Sequence, residues 1–519
     1  MLAKFIAHPQ PDNTDKLLHK LIPNVVMAGQ LSTELLYEVA RYLDLLHVVR
    51  DKNVTSVAAV REHHQTIVNV CLASKWLYSI FRPLLDHAVV DRSDPFERII
   101  LTKQFLKDKR EATKVRVLIS VPASEKRLKA VYSREVISDE DVTRAYHESM
   151  GRSGVSPSMD TFSTLLTLLP GLEALQLHVA SDLPSEYGGL LQLLQKAHND
   201  PSILPRLSSV SIGCADEKKS RLTAKGIEHL LRLPQLVNFT ANGLFEVQFT
   251  GCMNLPPPRW TVEPSISNIT SLHLLSCDMD EYELSQLVNA VKRLEDFALQ
   301  WSKGLGSNHG ILPSRNIVPM LTPHASSLKQ LTLDGRLAQE LKRPFNTVSP
   351  LDSLVDFKAL EYLDVPAILF VGKAAEYVPP PQSIAPPGFS EPSAQPLYNT
   401  WYMKTMRSWT LKQQGKPDVR HEEDVGAFVL DWDVMISVLP LSLVTLRLQT
   451  STKSKDLGSV GKWFGRFVMA GLDRLPRLRI LDLSDWNPDR VEALRNCLDF
   501  ETLRERLEER LITLRLPAT

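Results

Sequence analysis

Ten times along the chain, an apolar residue is followed three positions later by a second and two positions after that by a third. The phrases are Leu172-Leu175-Leu177, Leu207-Val210-Ile212, Leu236-Phe239-Ala241, Ile269-Leu272-Leu274 and Leu294-Phe297-Leu299. They continue as Leu328-Leu331-Leu333, Leu360-Leu363-Val365, Leu443-Leu446-Leu448, Leu478-Leu481-Leu483 and Leu511-Leu514-Leu516. Their first positions lie 35, 29, 33, 25, 34, 32, 83, 35 and 33 residues apart. The last two apolar residues are two apart, so on an extended chain they share one face. The first sits in the turn leading into that short strand. Five phrases follow a Leu-Pro pair, at Leu169, Leu204, Leu233, Leu439 and Leu475. Proline has no N–H to donate, so each marks where a preceding helix stops. Helix-like stretches such as 226–231 and 282–288 fill the intervals. The pattern therefore predicts an α/β chain in which each unit is strand, loop and helix. Such a unit is too small to bury its own apolar face, and stacking on its neighbours buries it.

A different pattern precedes the repeats. Residues 31–48 predict a helix capped by Ser32 or Thr33, with Glu34 and Glu38 near its N-terminus, where negative charge is favoured. Leu31, Leu35, Val39 and Leu43 form its apolar stripe. The polar stretch 50–64 reads as a mobile connection. A second helix is predicted over 65–81, with Ile67, Val70, Ser74, Leu77 and Phe81 on one face and Cys71, Trp76 and Ile80 widening it. Pro83 is expected to end that helix. One interval between phrases is anomalous, and 377–396 within it carries seven prolines, a composition that favours extended, solvated chain.

Composition narrows the function classes. Leucine supplies 80 of 519 residues, and 43% of the chain is hydrophobic, so disorder throughout is excluded. Sixty basic residues balance sixty acidic ones, which leaves no cation excess to neutralise phosphates or hold the chain on an acidic membrane. No nucleic-acid or membrane partner is expected. The five cysteines are scattered, no transmembrane run or signal-like N-terminus is seen, and a cytoplasmic or nuclear location is expected. Catalytic phrases fail on inspection. Gly458–Trp463 lacks the first glycine and the Ser/Thr of a phosphate loop, and the 304–310 glycines lack a strand-to-helix context. Gly151–Gly154 is one residue short of a nucleophile elbow, and His63-His64 and the acidic run at 421–424 have no converging ligands. No cofactor, metal or catalytic residue is expected.

The recurring phrase resembles a leucine-rich repeat array over about 165–519, a solenoid with strands on a concave side and helices outside. Of the family's Asn/Cys position, eight residues after the first leucine, only Cys277 matches; Ala180, Ser302, Arg336 and Trp486 stand elsewhere. Residues 28–90 are similar to an F-box of the kind placed before leucine-rich repeats in fungal proteins. The similarity rests on Leu31, Glu34, Leu35 and Leu36, on Val70–Ser74, and on Phe81-Arg82-Pro83-Leu84-Leu85, with Ser32 where proline is usual. The resemblance implies a substrate adaptor docked on a Skp-type adaptor and cullin ubiquitin ligase, with a client protein held by the repeats. It implies docking through Leu31, Glu34, Leu35, Val39, Leu43, Leu72, Trp76 and Leu84. Client contacts fall between the last two apolar residues of each phrase, at Gln176, Ser211, His273, Ala298, Thr332, Asp364, Arg447 and Asp482. The expected organisation is an extension over 1–27, the F-box-like unit over 28–90 and a connecting helical region over 91–164. Repeats follow over 165–365, a Pro-rich insertion over 366–442, and further repeats over 443–519.

Overall fold

The computed structural model describes residues 57–91, 95–120, 157–179, 193–214, 227–244, 262–277, 281–301, 314–334, 351–366, 438–449, 472–486, 488–495 and 500–517, with a few single positions such as Val39, Ala40 and Asp44. Each of the ten phrases becomes a strand: β3 Ala174–Val179, β4 Ser209–Cys214, β5 Asn238–Asn242, β6 Ser271–Cys277 and β7 Asp296–Trp301, then β8 Gln330–Asp334, β9 Tyr362–Pro366, β10 Thr445–Gln449, β11 Ile480–Asp482 and β12 Thr513–Arg515. Two more strands come first, β1 Ala88–Asp91 and β2 Val117–Ser120. All twelve form one parallel sheet whose spatial order is the chain order, the topology of a leucine-rich-repeat-type solenoid.

Register explains why the phrase works. Leu118, Leu175, Val210, Phe239, Leu272, Phe297, Leu331, Leu363, Leu446 and Leu481 stand opposite one another from β2 to β11, all at 1% exposure or less. The third residue of each phrase repeats the line two positions on, and one apolar core runs from Phe105 to Ile512. The backbone repeats as well. Arg116 O accepts N–H groups of Glu173 and Ala174 at 2.8 and 3.0 Å, Glu173 O accepts those of Ser208 and Ser209, and the relay continues to Arg479 O and Thr513 N. In four of the five Leu-Pro turns, the first leucine of the phrase closes a turn onto the leucine before proline, as Leu172 N does to Leu169 O at 3.1 Å; in the fifth, Leu443 N reaches Pro440 O at 3.3 Å. Gly171 is needed there, since a Cβ would stand 2.5 Å from Thr113 O.

The position eight residues into the phrase faces the preceding strand end in two chemistries. Trp486 Nε1 donates to Leu448 O, the third residue of the preceding phrase, at 2.9 Å. Cys277 Sγ lies 3.9 Å from the equivalent carbonyl, Ala241 O, but its single hydrogen has a nearer acceptor in Leu275 O at 3.2 Å.

The N-terminal helices differ from their sequence reading. Two helices form, α1 Val57–Ala73 and α2 Lys75–His87. The break falls at Ser74, whose Oγ accepts the Leu77 N–H at 3.1 Å and caps α2 rather than lying on a helical face. Pro83 lies inside α2 instead of ending it, and residues 57–64 are helical rather than a connection. Of the 31–48 helix, Val39 and Ala40 are helical; the remainder, apart from Asp44, lies outside the described residues, as does the Pro-rich stretch.

Helices α1 and α2 pack on the face of the sheet opposite the leucine core. Ile67, Val70, Cys71, Leu77, Phe81 and Leu84 join Ala40, Ala88, Val117, Ile119 and Ala174 in a second apolar cluster. Val117 and Ile119 alternate with Leu118, which belongs to the first core, so β2 is apolar on both faces. The connecting region, expected to be helical, holds this strand together with α3 Pro95–Lys107 and α4 Lys109–Lys114, and α5 Pro157–Thr167 completes the approach to β3.

At its first two strands the core is polar. Asp91 and Ser120 are register partners, and Ser120 is in turn opposite Leu177, so both occupy the third-residue line. Arg98 of α3 enters between them. Its Nε and Nη2 each lie 2.8 Å from Asp91 Oδ2, Ser120 Oγ donates to the same oxygen at 2.8 Å, and Phe162 of α5 lies under the guanidinium at 4.8 Å. All three polar residues are buried, at 3% exposure or less.

Candidate functional site

Two surfaces carry the residues singled out from the sequence. On the helix pair, Leu72 at the end of α1 and Trp76 at the start of α2 are 79% and 51% exposed, with Tyr78 beside them at 48%. The exposed pair is a consequence of the Ser74 break, which turns both residues away from the sheet-facing stripe. Arg82 Nε donates to the Tyr78 hydroxyl at 3.1 Å and pairs with Asp86, giving the apolar patch a charged rim. Leu84 points the other way, 8% exposed in the second cluster, and Val39 is half-buried against it. Leu31, Glu34, Leu35 and Leu43 lie outside the described residues.

The second surface is the polar face of the sheet. Register sets Ile119, Gln176, Ser211, Thr240, His273, Ala298, Thr332, Asp364, Arg447, Asp482 and Arg515 in one line. The expected client positions therefore share one face and one row, but most are not open to solvent. Gln176, Ser211, Ala298, Asp364 and Asp482 are buried, while His273, Thr332 and Arg447 are intermediate. Close strand spacing hides the short side chains behind the longer ones.

Along this row the chemistry changes. Gln176 Nε2 lies 3.0 Å from His178 Nε2 over β3. Donation by the amide makes His178 a neutral acceptor there, and burial holds its imidazole down at about 4. The unfolded chain then takes up a proton that the folded chain refuses. Stability from this group is complete above about pH 6.5, falls as pH drops, and levels off near pH 4, a loss on the order of 3 kcal/mol. Urea midpoints compared at pH 7.5 and 4.5 are expected to show that loss, with His178→Gln removing most of it; an unchanged difference would refute the assignment.

Over β6 and β7, His273 Nε2 meets Asp296 Oδ2 at 2.7 Å, and Ser271 Oγ lies 3.3 Å from the same nitrogen and 3.1 Å from the same oxygen. The trio resembles hydrolase chemistry in composition alone. Acid and hydroxyl share one ring nitrogen, so the ring cannot pass a proton from one side to the other. Over β9–β12 the row becomes charged. Arg447 reaches Asp364 at 3.4 Å and Asp485 at 2.7 Å, and Arg515 reaches Asp482 at 3.7 Å. Burial raises the Tyr362 phenol, with Asp364 adding to the effect and Arg447 opposing it.

Sequence reasoning passed over Asp485, Gln449 and Arg515, because the phrase draws the eye to the residue between two leucines and not to those flanking it. Among the described residues no group of three or more His, Cys, Asp or Glu side chains is placed to hold a metal ion. The glycine-rich, histidine and acidic sequences at 151–154, 304–310, 421–424 and 458–463 lie outside the described residues. No protein-family model matches the chain, and no curated protein matches it by sequence. No helix among the described residues is long and apolar enough to cross a membrane.

Proposed function

We propose that the chain is a non-catalytic substrate-recognition adaptor of an SCF-type ubiquitin ligase. In this reading the helical unit at 28–90 docks a Skp-type adaptor, and the polar strand face holds a client protein. The observation that carries it is the two-sidedness of α1 and α2. One side is committed to the sheet through Ile67, Leu77, Phe81 and Leu84, while Leu72 and Trp76 are exposed on the other. Exposed large apolar side chains grouped within a polar rim suit a protein-binding surface. The polar row supports the second half through its half-buried members His273, Thr332 and Arg447, whose mixed polarity suits a protein surface.

The test is capture of a Skp-type adaptor from native cells by the full chain. Leu72→Asp with Trp76→Asp is expected to cut capture at least tenfold while leaving the thermal unfolding curve unchanged, because both side chains are exposed. Equal capture by the double variant and its parent would remove the helix pair from the docking surface. A second reading, a repeat scaffold with no ligase role, is favoured by one observation: α1 and α2 also cover the first strands of the sheet, as an end cap must. That reading predicts that no Skp-type adaptor is captured by either form.

A further inference from the structure

Helices α3 and α4 lie on the leucine side of the sheet, where Phe105 and Ala112 anchor them in the first core. Their outward surface is part of neither surface described above. On α3, Arg98, Leu101 and Phe105 face inward, while Ile100 and Leu106 are 59% and 52% exposed. Counted at about 100° per residue, Lys103 and Lys107 fall between those two apolar side chains. The outward face is thus a cationic ridge with an apolar flank on each side. Lys109 and Arg110 follow at once in α4, and all four cations are exposed. Residues 100–114 hold five basic residues against two acidic ones, and both acids are engaged. Asp108 Oδ1 accepts the Arg110 N–H at 3.0 Å and the Glu111 N–H at 3.4 Å, and Glu111 pairs with Lys114 at 2.5 Å. Lys103, Lys107, Lys109 and Arg110 have no carboxylate partner among the described residues. The fold does not explain this arrangement. Like charges four apart, as Lys103 and Lys107 are, weaken a helix, and the exposed parts of Ile100 and Leu106 add no burial.

We propose that the outward face of α3 docks an acidic segment of a partner protein, with its carboxylates on Lys103 and Lys107 and its apolar side chains on Ile100 and Leu106. The order of residues across the face selects this partner. A helix that lies on a membrane turns an apolar face into the lipid and keeps its cations on the opposite side. On α3 the cations hold the centre, so lipid contact through Ile100 and Leu106 would press both ammonium groups toward hydrocarbon. A nucleic-acid backbone suits the lysines but leaves both apolar side chains in water. A protein segment with carboxylates set between apolar residues matches all four. The charge pairs are exposed and screened, so they set selectivity and encounter rate, while the apolar flanks add affinity. This surface is separate from those of the ligase reading and is tested without it.

The test uses the full chain and three labelled peptides of roughly twelve residues, repeats of Glu-Glu-Leu, Lys-Lys-Leu and Glu-Glu-Gly, followed by fluorescence anisotropy at about 150 mM salt. The Glu-Glu-Leu peptide is expected to bind about tenfold tighter than Lys-Lys-Leu and about threefold tighter than Glu-Glu-Gly. Lys103→Glu with Lys107→Glu is expected to weaken its binding about tenfold, and Ile100→Ser with Leu106→Ser about threefold. Thermal melts stay unchanged, because all four side chains are exposed. Lys103→Gln with Lys107→Gln replaces the charge reversal if its melt broadens. Equal affinity for the acidic and basic peptides, or Glu-Glu-Leu affinity unmoved by the folded lysine variants, overturns the proposal. Vesicles of about 30% phosphatidylserine in phosphatidylcholine and a duplex DNA are run beside the peptides. Tighter binding to either than to Glu-Glu-Leu, lost in the lysine variants, also overturns it, in favour of a membrane or a nucleic acid.

Discussion

Asp91→Ala is expected to destabilise the N-terminal end of the sheet by about 3–5 kcal/mol, the cost of stranding a buried guanidinium. Arg98 is 2% exposed, and its partners include the Asp91 carboxylate, the Ser120 hydroxyl and the Phe162 ring. Removing the carboxylate takes away the charged oxygen that two guanidinium nitrogens meet at 2.8 Å beside the leucine core. Removing both charges is a different experiment. Asp91→Leu combined with Arg98→Met is expected to fall within roughly 1.5 kcal/mol of the parent, because apolar replacements avoid the desolvation that the pair had to offset. Hydrogen exchange at the β1–β3 amides reads the effect where it arises, which matters in an array whose repeats contact only their neighbours. A cost below about 1 kcal/mol for Asp91→Ala would mean that the pair is wet, and the account of a buried polar plug would fail.

Phe297→Ala is the second large effect, expected at about 3–5 kcal/mol. Phe297 is the middle residue of its phrase on β7, 1% exposed, in line with Leu272 on one side and Leu331 on the other. The flanking strands are held by their own backbone ladders, so the site cannot collapse onto the space left behind. In a nearest-neighbour array, the weakened repeat uncouples the two halves. Urea unfolding followed by circular dichroism is expected to change from one transition to two. A single transition with an unshifted midpoint would show that the sheet is not stacked through this line.

The fold was legible because the phrase is a geometric statement. An apolar pair two residues apart with a third in the preceding turn suits a short strand stacked on others, and all ten phrases are strands. The first two strands escaped because their third-residue positions hold Asp91 and Ser120, polar residues that enter a core only because Arg98 arrives from a helix to meet them. That partnership is long-range and leaves no periodic trace. Ser74 misled for a local reason: counted as a small member of an apolar face, it spends its hydroxyl on the Leu77 N–H and divides one helix into two. The candidate surfaces were half legible. Alternation put Asp364, Arg447 and Asp482 in one row, but exposure depends on the neighbours that register supplies. Leu84, grouped with Leu72 and Trp76 by the family resemblance, packs inward because α2 lies on the sheet.

The central claim, that this solenoid is a client-recognition subunit joined to a ligase through its helical unit, is tested most directly by mixing the purified full chain with a purified Skp-type adaptor in a titration calorimeter. The account predicts a one-to-one complex with a dissociation constant on the order of 1 μM or tighter, weakened at least tenfold by Leu72→Asp with Trp76→Asp. Absence of heat and of a co-eluting complex at about 50 μM of each protein would contradict it.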